Sequence, residues 1–239
     1  MAKSYWEVVG KIINRSDVVL EILDARRFDD SRNEEVEEKI ERRGKNLILV
    51  ANKADLVSKK EQKKLKNCVY VSTKTRQGIG FLREKIMSLA PRHKVIVGVV
   101  GYPNTGKSSV INALAGRHKA KTSPKSGFTR GYQYVRIGRI MLIDTPGVFS
   151  FGEKDDVKMA LIGSKDATRL KDPEHVVLKL MKELNGKVER FYGIKPEKSY
   201  EGRLERIALK MNKLKKKGEP NTMEAAKTII KDWQKGKLK

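Results

Sequence analysis

The sequence predicts an α/β protein: a mostly parallel sheet with helices on both faces, followed by an all-α domain. Three observations lead there. Short apolar runs alternate with helix-periodic stretches through the first 115 residues, a glycine-rich turn joins one such run to a helix, and after residue 165 only helical spacing remains. Alternating strand and helix patterns demand crossover connections, which are right-handed and leave parallel strands covered on both sides.

Taken in order, Trp6, Val8, Val9, Ile12 and Ile13 recur at helical spacing between residues 4 and 15. Residues 18–23 form a short apolar strand, followed by Asp24-Ala25-Arg26. Ser31 with Glu34 three positions later has the form of a capping box, predicting a helix that turns Val36 and Ile40 inward and stops at Gly44. A second strand spans 47–51, a basic helix 59–66, a third strand 69–72, and a helix 81–90 halted by Pro91. Residues 95–100 are a buried central strand and 107–115 the helix after it, while 132–137 and 139–144 make an antiparallel hairpin around Gly138. Val176, Val177, Leu180, Met181 and Leu184, then Leu204, Ile207, Met211 and Leu214, mark helices of a second domain. A lysine run at 213–217 and a last helix from Met223 to Trp233 complete it, so the expected division is 1–165 and 166–239.

With 239 residues and 38% hydrophobic content the chain can bury a real core, which excludes disorder throughout. Fifty-three Lys and Arg against 29 Asp and Glu give a net charge of +24, and such an excess points to a polyanionic partner, nucleic acid before membrane. A lone cysteine, Cys68, excludes an intrachain disulfide and a multi-cysteine zinc site; the scattered His93, His118 and His175 lack ligand spacing. The apolar runs are strand-length and the first residues lack the apolar stretch of a secretory leader, so a soluble, cytoplasmic protein without membrane attachment is expected.

Chemistry concentrates in four places. Gly101-Tyr102-Pro103-Asn104-Thr105-Gly106-Lys107-Ser108 fits G-x-x-x-x-G-K-[ST] between a strand and a helix. There, backbone N–H groups can wrap phosphates, Lys107 can neutralise β- and γ-oxygens, and Ser108 can ligand Mg²⁺. Asn104, Thr105, Gly106, Lys107, Ser108 and Ser109 are the candidate phosphate-side positions. Asp144-Thr145-Pro146-Gly147 ends the hairpin strand, where Asp144 can hold Mg²⁺ through water and the Gly147 N–H can sense a γ-phosphate. Asn52-Lys53-Ala54-Asp55 closes another strand; its Asp55 carboxylate can accept the N1 and N2 hydrogens of guanine, which adenine lacks. Ser72-Thr73-Lys74, after the next strand, can cover the base O6. An ATP-dependent kinase is excluded by the guanine motif.

These elements resemble those of the Ras-like P-loop GTPases, in inverted order: guanine motif, base cover, phosphate loop, switch I, then Asp144 to Gly147. That order is similar to the circularly permuted GTPases of the YlqF/YawG type, which act in large ribosomal subunit assembly. Asp24-Ala25-Arg26, Gly127-Phe128-Thr129-Arg130-Gly131 and the C-terminal stretch from Gly218-Glu219-Pro220 to Leu238 match further motifs of that family. The resemblance implies Thr129 as a second protein ligand to Mg²⁺, with Lys107 and Thr129 carrying the transition-state and switch roles. It implies GTP hydrolysis, with a large-subunit precursor and its rRNA as partners; a monomer is expected. Val148 stands where many GTPases place a water-orienting Gln, so slow intrinsic turnover is expected, with no general base assigned. Asn104 resembles the asparagine through which related GTPases bind K⁺, a turn former being its other reading; K⁺ and ribosomal particles are the expected activators. A GTP-binding RNA scaffold with negligible hydrolysis is the alternative.

The charge is uneven. Residues 1–55 carry 11 bases and 12 acids, whereas 56–143 carry 19 bases and only Glu61 and Glu84 as acids. Lys59, Lys60, Lys63, Lys64 and Lys66 form one cluster, and Arg117, Lys119, Lys121, Lys125 and Arg130 another. Without an evident stacking platform of aromatics, RNA contact is expected through phosphates and shape.

Overall fold

The strand Val18–Asp24 (β1) is buried at all seven positions, as a strand covered on both faces must be. It pairs in parallel with Asn46–Asn52 (β2) on one side and Val95–Val100 (β4) on the other. Cys68–Tyr70 (β3) extends the sheet beyond β2, and the antiparallel hairpin Gln133–Ile137 (β5) and Ile140–Asp144 (β6) extends it beyond β4. Among the described residues six strands lie in the order β3-β2-β1-β4-β6-β5, and of these only β5 runs antiparallel. This computed structural model describes residues 2–63, 67–89, 94–116, 133–144, 155–195 and 197–238.

Side-chain alternation along β1 sorts the two faces. Val18, Leu20 and Ile22 pack under Ile79–Ser88 (α4) and Lys107–Ala115 (α5), through Leu82, Ile86, Val110, Ile111 and Leu114. Val19 faces the other way, toward Val9 and Ile13 of Ala2–Arg15 (α1) and Val36 and Ile40 of Glu34–Glu41 (α2). Each fully buried Val, Leu or Ile contributes about 1.5–3 kcal/mol, so these two layers hold the strand ends in fixed register.

Local details correct the sequence reading. Asn33, not Ser31, caps α2: its Oδ1 accepts the Val36 N–H at 3.1 Å. Ser31 is buried instead, its hydroxyl donating to Phe28 O at 3.0 Å and accepting the Asp24 N–H at 3.1 Å. The basic helix is Lys59–Gln62 (α3), opened by a capping box of Ser58 and Glu61, and residues 64–66 lie outside the described residues. The third strand ends at Tyr70, which leaves Ser72 in the turn that follows.

The chain divides into two compact units, Met1–Gly152 and Glu153–Lys239. The division expected at 165/166 therefore falls too late. Asp156–Leu161 (α6) belongs with the helices because Trp233 Nε1 donates to Leu161 O at 2.8 Å and Gln234 Nε2 donates to Ala160 O at 2.9 Å and Lys165 O at 3.0 Å. Pro173–Leu184 (α7), Lys187–Tyr192 (α8), Tyr200–Lys210 (α9) and Thr222–Gln234 (α10) complete this second unit. Its core gathers Val176, Val177, Leu180, Ile207, Ile229 and Trp233. Lys215, Lys216 and Lys217 stand exposed on a tight turn closed by the Leu214 and Pro220 bridge. Among the described residues no helix is long and apolar enough to cross a membrane.

Candidate nucleotide site

In a parallel sheet, ligands bind beyond the carboxyl ends of the strands. Here those ends bring the sequence motifs to one edge: Asp24 pairs with Asn52 across β1 and β2, and Val99 with Asp144 across β4 and β6.

The loop after β4 has the shape its glycines permit. Gly101 sits at φ +136, and a Cβ there would lie 2.4 Å from Ile22 O. Gly106, at φ +99, would place a Cβ 2.2 Å from Asn52 Nδ2, so only glycine lets the guanine motif approach the phosphate loop this closely. Asn104 also holds a positive φ, +61, and is exposed at the loop tip. Lys107 is 6% exposed and curls back, Nζ donating to Gly101 O at 2.9 Å and Tyr102 O at 2.8 Å. Thr105 is fully buried, its hydroxyl donating to Tyr102 O at 2.8 Å. Ser108 and Ser109 lie exposed on the first turn of α5, whose N-terminus carries no side-chain cap. Uncapped N–H groups and the helix dipole together suit an anion there.

The guanine motif is braced from below. Asn52 is 1% exposed and its Nδ2 donates to Thr105 O at 2.9 Å, tying the two motifs together across 53 residues. Its Oδ1 is buried without a hydrogen-bond partner, an orphan of the kind that marks a functional position. Asp55 Oδ1 accepts the Ser72 hydroxyl at 2.7 Å, and Ser72 Oγ in turn accepts the Thr75 N–H at 3.1 Å. Thr73 is half-buried and Lys74 exposed.

Lys53 adopts φ +61 and its Nζ donates to Asp24 Oδ2 at 2.7 Å. Asp24 is fully buried and also accepts from Arg26: the backbone N–H at 3.1 Å, Nε at 3.0 Å and Nη2 at 2.7 Å. Burial alone would push the Asp24 carboxyl up; Arg26 and Lys53 outweigh it and hold the carboxyl below the ordinary aspartate value. Sequence reasoning noted Asp24 and Arg26 without giving them a task. The signal was their position, since Asp24 ends a strand in register with Asn52.

Three of the sequence-predicted positions, Thr129, Gly147 and Val148, lie outside the described residues, as does the basic cluster at 117–130. Asp144 is the last residue of β6, one strand from the phosphate-loop strand.

A family model described as the 50S ribosome-binding GTPase matches residues 96–220. The chain belongs to that family. The match begins on β4, just before the phosphate loop, and leaves outside it residues 52–55, which in this chain precede that loop. Motif order and strand order together make the fold a circularly permuted P-loop GTPase. The chain is 42% identical to an uncharacterized GTP-binding protein of Methanocaldococcus jannaschii over 97% of its own length and 65% of the relative's. It is 34% identical to nucleolar GTP-binding protein 2 of Saccharomyces cerevisiae, over 99% of this chain and 52% of that protein. It thus spans about two thirds of the archaeal relative and half of the yeast one. In fold it resembles the GDP-bound YlqF structure of T. maritima, with a TM-score of 0.71 at 24% identity, covering 96% of this chain and 95% of that one.

Proposed function

We propose that this chain binds GTP at the carboxyl edge of its sheet, hydrolyses it slowly, and uses the bound nucleotide to gate contact with rRNA during large-subunit assembly. The observation that carries the reading is the Asn52 hydrogen bond to Thr105 O, because it joins a guanine-selecting turn to a phosphate-wrapping loop in one site. In this reading Asp55 accepts the guanine N1 and N2 hydrogens, with Ser72, Thr73 and Lys74 covering the base. The phosphates take the N–H groups of residues 104–109 and draw the Lys107 ammonium from its loop carbonyls. Lys53 serves the base side while tethered to Asp24.

The donors around the phosphates suit Mg²⁺, a hard cation that takes oxygen ligands. Ser108 is exposed at the helix start and Asp144 ends the strand beside β4, with Thr129 as the proposed third contributor. When bound, Mg²⁺ neutralises charge on the β- and γ-oxygens. Gly147 is proposed to sense the γ-phosphate. Asn104, exposed at the loop tip, is proposed to hold K⁺, which would supply positive charge where an arginine finger acts in other GTPases. The proposed domain roles follow: a nucleotide-gated unit and a basic helical unit that shares in RNA contact, acting in the cytoplasm as a monomer.

Replacing Asp55 with Asn tests the base assignment. D55N should weaken GTP binding by at least about 100-fold and improve binding of xanthosine triphosphate, whose O2 an amide can serve. Unchanged GTP affinity overturns the assignment. Phosphate release in K⁺ and in Na⁺, with and without large ribosomal subunits, tests hydrolysis. Turnover is expected to be highest with K⁺ and subunits. The Val148 substitution favours a second reading, a GTP-binding RNA scaffold, and absence of turnover in all four conditions decides for it.

A further inference from the structure

Away from the nucleotide edge, a pocket of about 500 Å³ opens between α4, the last turn of α5 and the β5–β6 turn. Its volume is within the range of small-ligand sites. Its floor is apolar, from Ile79, Leu114 and Ile137, and every ionisable residue lining it is an arginine: Arg76, Arg83 and Arg136. The three come from three separate elements of the fold. Arg76 Nη2 donates to Ala113 O at 3.2 Å and Arg136 Nε to Gly138 O at 3.4 Å. A Cβ on Gly138 would lie 3.9 Å from Arg83 Nη2, so Arg83 and Arg136 converge on the same turn. Among the described residues none of the three forms an ion pair, and no carboxylate lines the pocket. Arg76 reaches its place from φ +63, a conformation that costs a non-glycine residue free energy.

Like charges gathered without a counter-charge repel, and each guanidinium has further N–H donors than the single bond described for Arg76 and Arg136. A planar donor fork matches phosphate oxygens two at a time. We infer that this three-arginine pocket is a binding site for the backbone phosphate of RNA. RNA is favoured over a small anion because the pocket sits within residues 56–143, where 19 bases face 2 acids, a field suited to an extended polyanion. The inference rests on the proposed RNA-binding role and gives it a place. The pocket is linked to the nucleotide site without touching it: α5 runs from the phosphate loop to Ala115 at the pocket wall, and Arg76 follows Ser72 by four residues.

The test uses the full chain bound to GDP and a fluorescein-labelled RNA hairpin with a single-stranded loop, titrated across KCl concentrations. R83Q/R136Q should weaken RNA binding by about tenfold or more at moderate salt and reduce the slope of log K against log salt by roughly 0.7–0.9 per lost phosphate contact. GDP affinity should be unchanged, which reports an intact fold. R83K/R136K keeps the charge and should recover most of the salt slope. An unchanged affinity and slope in R83Q/R136Q, with wild type binding the hairpin, overturns this inference and leaves the RNA-binding role standing. Failure of the wild type to bind the hairpin overturns both. Protection of the arginines by inorganic phosphate alone, with no change in RNA affinity on substitution, makes the pocket a small-anion site and overturns the RNA assignment.

Discussion

The two units bury polar groups very differently. Among the described residues eight buried polar or charged side chains belong to the first unit, Ser16, Glu21, Asp24, Ser31, Asn52, Ser72, Thr105 and Lys107, and only Ser164 and Glu189 to the second. Five of the eight, Asp24, Asn52, Ser72, Thr105 and Lys107, stand at the carboxyl edge of the sheet. In the helical unit Glu189 Oε1 is paired with Arg203 at 2.8 Å, and apart from Glu189 and Ser164 the buried side chains are apolar among the described residues. Burying polar groups costs free energy unless each is partnered, so their concentration at one edge marks where function rather than stability set the residue choice.

Breaking the edge should therefore cost more than trimming the helices. Asp24→Asn removes the counter-charge of two cations, of which Arg26 is the more buried, at 4% side-chain exposure against 21% for Lys53. The expected loss is about 3–5 kcal/mol, read by denaturant unfolding, with weakened guanine-nucleotide affinity as Lys53 loses its tether. The sign with pH follows from the depressed Asp24 carboxyl. Its contribution is present above the unfolded-state value and is lost as pH falls through the lower folded-state value, so wild type and variant should converge in acid. A variant as stable as wild type at neutral pH would falsify the tether.

Trp233→Phe sharpens the other side of the comparison. It keeps most of the apolar volume but strands the buried Leu161 carbonyl, an effect of about 1–3 kcal/mol. Nucleotide affinity should not move, because the Leu161 carbonyl that Trp233 holds lies in the helical unit. A matching fall in GDP affinity would mean that the site depends on that unit's packing.

The smallest effect has the opposite sign. Glu21 is fully buried on β1, with Oε1 accepting the Asn33 N–H at 2.9 Å and Oε2 unpartnered. Burial first, and the nearby Glu37 second, push its carboxyl well above the ordinary glutamate value. A raised carboxyl favours the fold below the unfolded-state value and loses that contribution as pH rises through the folded-state one. Glu21→Gln should therefore stabilise by about 1 kcal/mol near neutral pH, an increase of roughly 2–4 °C in Tm, with the gain shrinking toward about pH 4. A Tm difference that does not vary with pH would assign the effect to packing.

Much of this was legible in the sequence because the relevant forces are local or periodic. The strand-helix alternation, the hairpin at Gly138 and the phosphate loop each depend on residues within about one element of one another. Where the reading went astray, a distant contact decided. Ser31 has the spacing of a helix cap, yet the end of β1 claims its hydroxyl and Asn33 caps α2 instead. The helical unit starts earlier than its texture suggests, since the carbonyls of Ala160, Leu161 and Lys165 are bound by side chains near the end of the chain.

By itself, then, the sequence determined the fold class, the permuted order of motifs and the chemistry that each motif can perform, because these follow from hydrophobic period and short-range spacing. Only the tertiary structure decided which motifs touch: Asn52 against Thr105, Lys53 and Arg26 on one buried Asp24, and three arginines around one pocket. Such pairings join residues far apart in the chain, and their strength depends on burial, which no single stretch of sequence carries.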